Sequence, residues 1–290
     1  MSIEQIRARF ARIGFAAYLG VDIVEIEHER AVIHLPFREA HTNPGGILNG
    51  GVTVSLMNLA GTLAAWTGID LAAEPFLGTV DLTIQYVAAA IEEDVWGAAR
   101  VVRRGRDLFF FDTSVRNHDD TPICQGLMIY RAPNYAGQSR RLFARPELFA
   151  EPPSTGATEP ALRLGPFLQK LRIATLHDSP GRVRLRMPWM PDLADERGYL
   201  HEGALASLLD IAGTAASWTL AQRPGSRGAT IGMQLSFLNP VREAVIADAI
   251  VQQRSEELFF SHVQITTVAA RQLVAMGNVS YRILEARQGG

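Results

Sequence analysis

A single cysteine, Cys124, stands in a chain of 290 residues, so no internal disulfide can form and a reducing compartment is expected. No long basic run occurs, arginine supplies nearly all the basic residues, and the net charge is −2. Such a surface carries no footprint for nucleic acid. No uninterrupted apolar stretch is as long as a membrane span. The opening residues, MSIEQIRARFARIGFAAYLG, scatter charges among apolar positions and do not read as a signal peptide, so a cytoplasmic location is expected. The histidines His28, His34, His41, His118, His177 and His262 lack metal-ligand spacing, and no Ser-His-Asp order or nucleophile elbow is found.

What is present is a duplication. Gly46–Trp66 reads GILNGGVTVSLMNLAGTLAAW and Gly198–Trp218 reads GYLHEGALASLLDIAGTAASW. At an offset of 152 the two share Gly51/Gly203, Ser55/Ser207, Leu56/Leu208, Ala60/Ala212, Gly61/Gly213, Thr62/Thr214 and Trp66/Trp218. Downstream, Gly78-Thr79-Val80 matches Ala229-Thr230-Ile231, and Leu108-Phe109-Phe110 matches Leu258-Phe259-Phe260. A period near 150 marks a duplicated domain, not a solenoid. The chain divides into repeat one over 1–132, a proline-rich linker over 133–160, and repeat two over 161–286.

Repeat one opens on Ile6, Phe10, Ile13 and Ala17 at helical spacing over 3–18. Strands are expected over 21–26, 31–37, 79–86, 95–102, 108–115 and 123–130, with a central helix near 50–66. Repeat two follows with a helix over 162–171, a strand over 182–187 and a central helix over 202–218. Its remaining strands fall near 230–238, 244–253, 258–267 and 273–283. One helix among antiparallel strands makes each half an α+β unit.

Both central helices are apolar on nearly every face, which requires burial on all sides. Past Glu202 the second carries one charge, Asp210, and a buried carboxylate is costly unless something compensates or uses it. Free N–H groups at a helix start, reinforced by the helix dipole, attract an anion or a developing oxyanion. The copies differ where such chemistry would sit: Asn49 stands in place of His201, and Asn58 in place of Asp210.

Each half resembles the hotdog fold, a curved antiparallel sheet wrapped around one long helix, so a double hotdog is expected. The residues Asn43, Asn49, Gly50 and Gly51, then His201, Gly203 and Asp210, resemble the motif N-(x)5-H-G-G-(x)7-D of thioesterases related to the phenylacetate-degradation enzyme. The first copy departs from it at Asn49 and Asn58, the second at Asp195 and Glu202. In that family one hotdog supplies helix-start donors and the other the carboxylate. The resemblance therefore implies two unlike composite sites. One joins Asn43, Asn49 and Gly50 with Asp210 and Thr230. The other, degenerate, joins Asp195, His201, Glu202 and Gly203 with Asn58 and Thr79.

The activity implied is hydrolysis of an acyl-CoA thioester to free acid and CoA, with CoA entering as part of the substrate and no metal. Gly50 N–H and the Asn43 or Asn49 amide would polarise the carbonyl. Asp210 would act as general base on a water or attack to form a mixed anhydride. The alternatives are a non-catalytic acyl-CoA-binding hotdog protein and a hotdog enoyl-CoA hydratase or dehydratase. His201 and Asp210 are nine residues apart, about 13.5 Å along one helix, too far to share one carbonyl. The sites should therefore cross between repeats. The two sheets should run together, and the apolar strands near 108–111 and 258–260 should pair two chains into a homodimer of double hotdogs.

Overall fold

The computed structural model describes residues 2–71, 78–132, 165–221 and 226–284. Repeat one runs through helices α1 (Ile3–Phe10) and α2 (Gly14–Leu19), strands β1 (Asp22–Glu27) and β2 (Arg30–Leu35), and the central helix α3 (Gly50–Thr67). It ends in β3 (Gly78–Tyr86), β4 (Val95–Arg104), β5 (Leu108–Asn117) and β6 (Pro122–Arg131). Repeat two follows the same plan with α4 (Pro166–Lys170), β7 (Ala174–Ser179), β8 (Arg182–Met187) and the central helix α5 (Glu202–Trp218). It closes with β9 (Arg227–Phe237), β10 (Val245–Arg254), β11 (Leu258–Thr267) and β12 (Leu273–Leu284).

The strands form one 12-stranded sheet in the order β1-β2-β4-β5-β6-β3-β9-β12-β11-β10-β8-β7. That order reads the same from either end once the repeats are exchanged, so a pseudo-two-fold axis passes between β3 and β9. Those two strands join the halves in antiparallel register, from Asp81↔Ser236 to Gln85↔Gly232. Inward-facing residues such as Leu82, Phe111, Leu235 and Val263 cover the central helices, whose own residues are almost all buried. This is the α+β double hotdog.

The central helices pack side by side and antiparallel. Ser55 Oγ donates to the Gly203 carbonyl at 2.9 Å, Ser207 Oγ donates to the Gly51 carbonyl at 2.9 Å, and the two hydroxyls lie 3.2 Å apart. Glycine is needed at 51 for this approach: a side-chain carbon there would lie 2.7 Å from Ser207 Cα. The short leading helices cross over too. Phe15 N–H on α2 donates to the Ala194 carbonyl of repeat two at 3.1 Å. Tyr18 hydroxyl donates to the Lys170 carbonyl, and Lys170 Nζ donates back to the Tyr18 carbonyl at 2.7 Å.

Two expectations are corrected. The helix over 3–18 is two helices, because Ile13 is extended and turns α2 onto the loop of repeat two, with Gly14 against the Pro191 carbonyl. The helix over 162–171 is confined, among the described residues, to Pro166–Lys170, with proline at its first turn. Strand β7 had no counterpart in the sequence reading. The linker over 133–160 lies outside the described residues.

Because the helix crossing has no room for a side chain at 51, Gly51→Ala should lower stability by about 1–3 kcal/mol through overpacking, measured by urea unfolding. A variant as stable as the wild type would show that the crossing yields.

Candidate active site

The start of α3 is built by its cap. Asn49 Oδ1 accepts the Gly51 N–H at 2.8 Å, and Asn49 Nδ2 donates to Asn43 Oδ1 at 2.7 Å. The Gly50 N–H, at the first helical position, has no intrahelical acceptor. Against this point lies a side chain of the other repeat. A carbon placed on Gly50 would come within 2.8 Å of Asp210 Oδ2 and 3.4 Å of the Tyr86 hydroxyl, so only glycine fits. Tyr86 Oη donates to the Gly50 carbonyl at 2.9 Å.

Asp210 sits in the third turn of α5 and is 3% exposed. Thr230 Oγ1 donates to its Oδ1 at 2.9 Å. Thr230 immediately precedes an extra residue in β9, where Tyr281 pairs with Thr230 and Ser280 with Gly232, and such a bulge re-aims the neighbouring side chain. Burial pushes the Asp210 carboxyl up to about 6, while the Thr230 hydroxyl and the Gly51 N–H pull it down. It is thus mostly ionised at neutral pH yet basic enough to take a proton. Asn43, Asn49, Gly50, Asp210 and Thr230 are brought together from two repeats.

The pseudo-equivalent place holds different groups. His201 caps α5, its Nδ1 accepting the Gly203 N–H at 3.0 Å, and burial pushes it down to about 4, so it is neutral. Asn58 Nδ2 donates to Thr79 Oγ1 at 2.6 Å, in the relation Asp210 has to Thr230. Glu202 occupies the position of Gly50, and its carboxyl is held up to about 7, first by burial and then by Asp195. Asp195 accepts the N–H groups of Arg197 and Tyr199 at 2.8 and 2.9 Å and pairs with the Arg197 guanidinium at 3.1 Å. No open glycine-lined helix start faces a carboxylate here.

The sequence profile of the thioesterase superfamily matches this chain twice, over residues 45–124 and 197–272. The chain belongs to the thioesterase superfamily. Both matches begin just before a capped helix start, the first running through β3, β4 and β5 and the second through β9, β10 and β11. A Saccharolobus solfataricus protein assigned provisionally as an esterase is 28% identical over 102 residues, 35% of this chain and 71% of its own length. A conserved protein of unknown function with hot dog fold from Alicyclobacillus acidocaldarius superposes with a TM-score of 0.67 at 16% identity, covering 96% of this chain and 98% of that one. An acyl-CoA thioesterase II, TesB2, from Mycobacterium marinum does so at 0.62 and 14%, covering 94% and 98%. At those identities the structural likeness concerns the fold alone.

The sequence alone did not single out one neighbour of the site, Tyr86. Its signal was available: the matching position in repeat two is Phe237, so the hydroxyl occurs only beside the carboxylate. An open trough of about 800 Å³ lies away from this site. It lies on the outer face of the sheet in repeat one, between Val102, Arg106, Phe110 and Leu127.

Asp210 ties stability to pH. Ionisation in the folded chain is held back to about 6, against about 4 in an unfolded chain, so between those values the unfolded state binds fewer protons. Stability from this group is therefore lost as pH rises from 4 to 6, by roughly 3 kcal/mol in full. Asp210→Asn should be more stable than the wild type at pH 8, and the difference should vanish near pH 4. Urea unfolding at both pH values checks this, and an Asn variant less stable at pH 8 would contradict it.

Proposed function

We propose that the chain is an acyl-CoA thioesterase, with Asp210 of repeat two and the α3 start of repeat one as its catalytic centre. What supports this is one juxtaposition, the Asp210 Oδ2 against Gly50 where the unpaired helix-start N–H emerges. The thioester carbonyl accepts from the Gly50 N–H, which gains strength as negative charge develops on that oxygen. Asp210 takes a proton from water as the water oxygen bonds to the carbonyl carbon. The C–S bond then breaks, and the CoA thiolate leaves and takes up a proton. Asn49 and Asn43 hold the helix start, and Thr230 orients the carboxylate. Tyr86 fixes the Gly50 peptide.

The same reading extends to assembly. Val102, Phe110 and Leu127 are exposed on the outer face of repeat one. Its β4–β5 hairpin carries Arg103, Arg104 and Arg106 with one acid, Asp107, whereas the matching β10–β11 hairpin of repeat two carries Glu256 and Glu257 with one base, Arg254. A second chain laid repeat two onto repeat one sets these charges face to face and covers the apolar patch.

A panel of acyl-CoA substrates assayed with a thiol reagent tests the activity. Asp210→Asn should abolish turnover, and Gly50→Val should cost about 100-fold or more. Turnover should fall with an acidic limb near 6, set by Asp210. Binding of acyl-CoA without hydrolysis of any substrate would leave a binding protein instead. Light scattering should give twice the 31.8 kDa chain mass, and Leu127→Arg should return it to one chain; a wild-type chain that stays single would refute the pairing.

A further inference from the structure

The two composite sites share one plan and differ at a few positions. Thr79 meets residue 58 at 2.6 Å as Thr230 meets residue 210 at 2.9 Å. His201 accepts the Gly203 N–H as Asn49 accepts the Gly51 N–H, at 3.0 and 2.8 Å. The flanking pairs also correspond, Trp66 Nε1 donating to Tyr130 at 3.2 Å and Trp218 Nε1 to Tyr281 at 2.9 Å. Backbone, caps, bulges and threonines are therefore retained in the second site.

A few side chains are not. Where Gly50 leaves room for a carboxylate from the other helix, Glu202 brings its own, with Oε1 3.0 Å from the place a side-chain carbon on Gly78 would take. Where Gly45 has nothing within 4 Å of its side-chain direction, Arg197 fills the loop and is tied to Asp195. Where Asp210 stands in the first site, Asn58 stands in the second, fully buried, and its Oδ1 has no hydrogen-bond partner among the described residues. The space left between Thr79, Glu202, Arg197 and Phe237 is about 30 Å³, enough for one water and no thioester.

We propose that this second composite site is a latent thioester-hydrolysing centre, shut by Glu202 and the Asp195–Arg197 ion pair and disarmed by Asn58. Each chain then hydrolyses one thioester at a time, at Asp210. The proposal rests on the thioesterase reading of the Asp210 site. The physical reason for closure is twofold. The Glu202 side chain takes the volume that a substrate carbonyl needs beside the α5 start. When ionised it also places negative charge where negative charge must develop, which opposes the reaction. Asn58, holding no labile charge, cannot take a proton from water.

The test begins from Asp210→Asn, which silences the first centre. Adding Asn58→Asp, Glu202→Gly and Arg197→Gly should restore hydrolysis of the best wild-type substrate to at least about tenfold above Asp210→Asn alone. A folded quadruple variant, by circular dichroism, that shows no return overturns the proposal. Calorimetric titration with a non-hydrolysable S-alkyl-CoA thioether tests it without any reconstructed catalysis. The wild-type chain should bind one thioether and the Glu202→Gly/Arg197→Gly chain two. Two bound per wild-type chain, or one per opened chain, also overturns it. Wild-type turnover in the same assay reports separately on the thioesterase reading.

Discussion

Two serines and two glycines fix how the repeats meet, and the composite sites follow from that contact. Gly51 lies against Ser207 while Ser55 lies against Gly203. Opposed positions on the two antiparallel helices therefore sum to 258. One turn beyond Ser207, that relation brings residue 210 beside the α3 start, and by symmetry residue 58 beside the α5 start. A slip of one turn would part each pair by about 5.4 Å. The hydroxyls need no charge to do this. Each adds a side-chain donor to a carbonyl already inside a helix, so the crossing is buried and close, and Asp210 arrives in a desolvated place because of it.

Desolvation is what makes Asp210 informative. A carboxyl held at about 6 costs the folded chain roughly 3 kcal/mol at neutral pH, a large share of a typical net stability of about 5–15 kcal/mol. One threonine hydroxyl and a shared N–H offset only part of it. No guanidinium or ammonium pairs with Asp210 among the described residues, unlike Glu196, whose carboxylate meets Arg9 at 2.8 Å. Ion pairs of the Glu196 kind explain a carboxylate by its partner. Asp210 has no such explanation, and its Oδ2 lies against Gly50 at the helix start of the other repeat.

Much of the fold was legible because duplication wrote it twice. Ser55/Ser207, Gly51/Gly203 and Trp66/Trp218 repeat at one offset, and all three pairs lie on the central helices. The boundaries of α5 and β8 came directly from composition. Strand β7 did not, since Ala174–Ser179 reads ATLHDS, a polar edge with none of the alternation of DIVEIE in β1. The break at Ile13 was invisible for another reason: the apolar spacing persists through it, and only docking on Pro191 and Ala194 of repeat two turns the chain. At the site, Asp210, Gly50 and Thr230 could be named from the motif and the repeat. Tyr86 was legible only as one more inward residue of an alternating strand. Its hydroxyl gains meaning from a contact 36 residues back in the chain, with the Gly50 carbonyl.

Fusion of the two hotdogs in one chain is what permits their sites to differ. In a homodimer of single hotdogs both sites are built from one sequence, so an Asn in place of the carboxylate disarms both. Here residue 58 serves only the second site and residue 210 only the first. Asn58 could therefore arise without loss at the Asp210 centre. The same holds for Glu202 and Gly50, and for Arg197 and Gly45. Reading repeat two by itself would pair His201 with Asp210 on one helix. The crossing assigns them to different sites, His201 capping the α5 start and Asp210 lying against the α3 start. On the proposed reading the unit of function is neither repeat but the seam between them, because each repeat contributes residues to both sites.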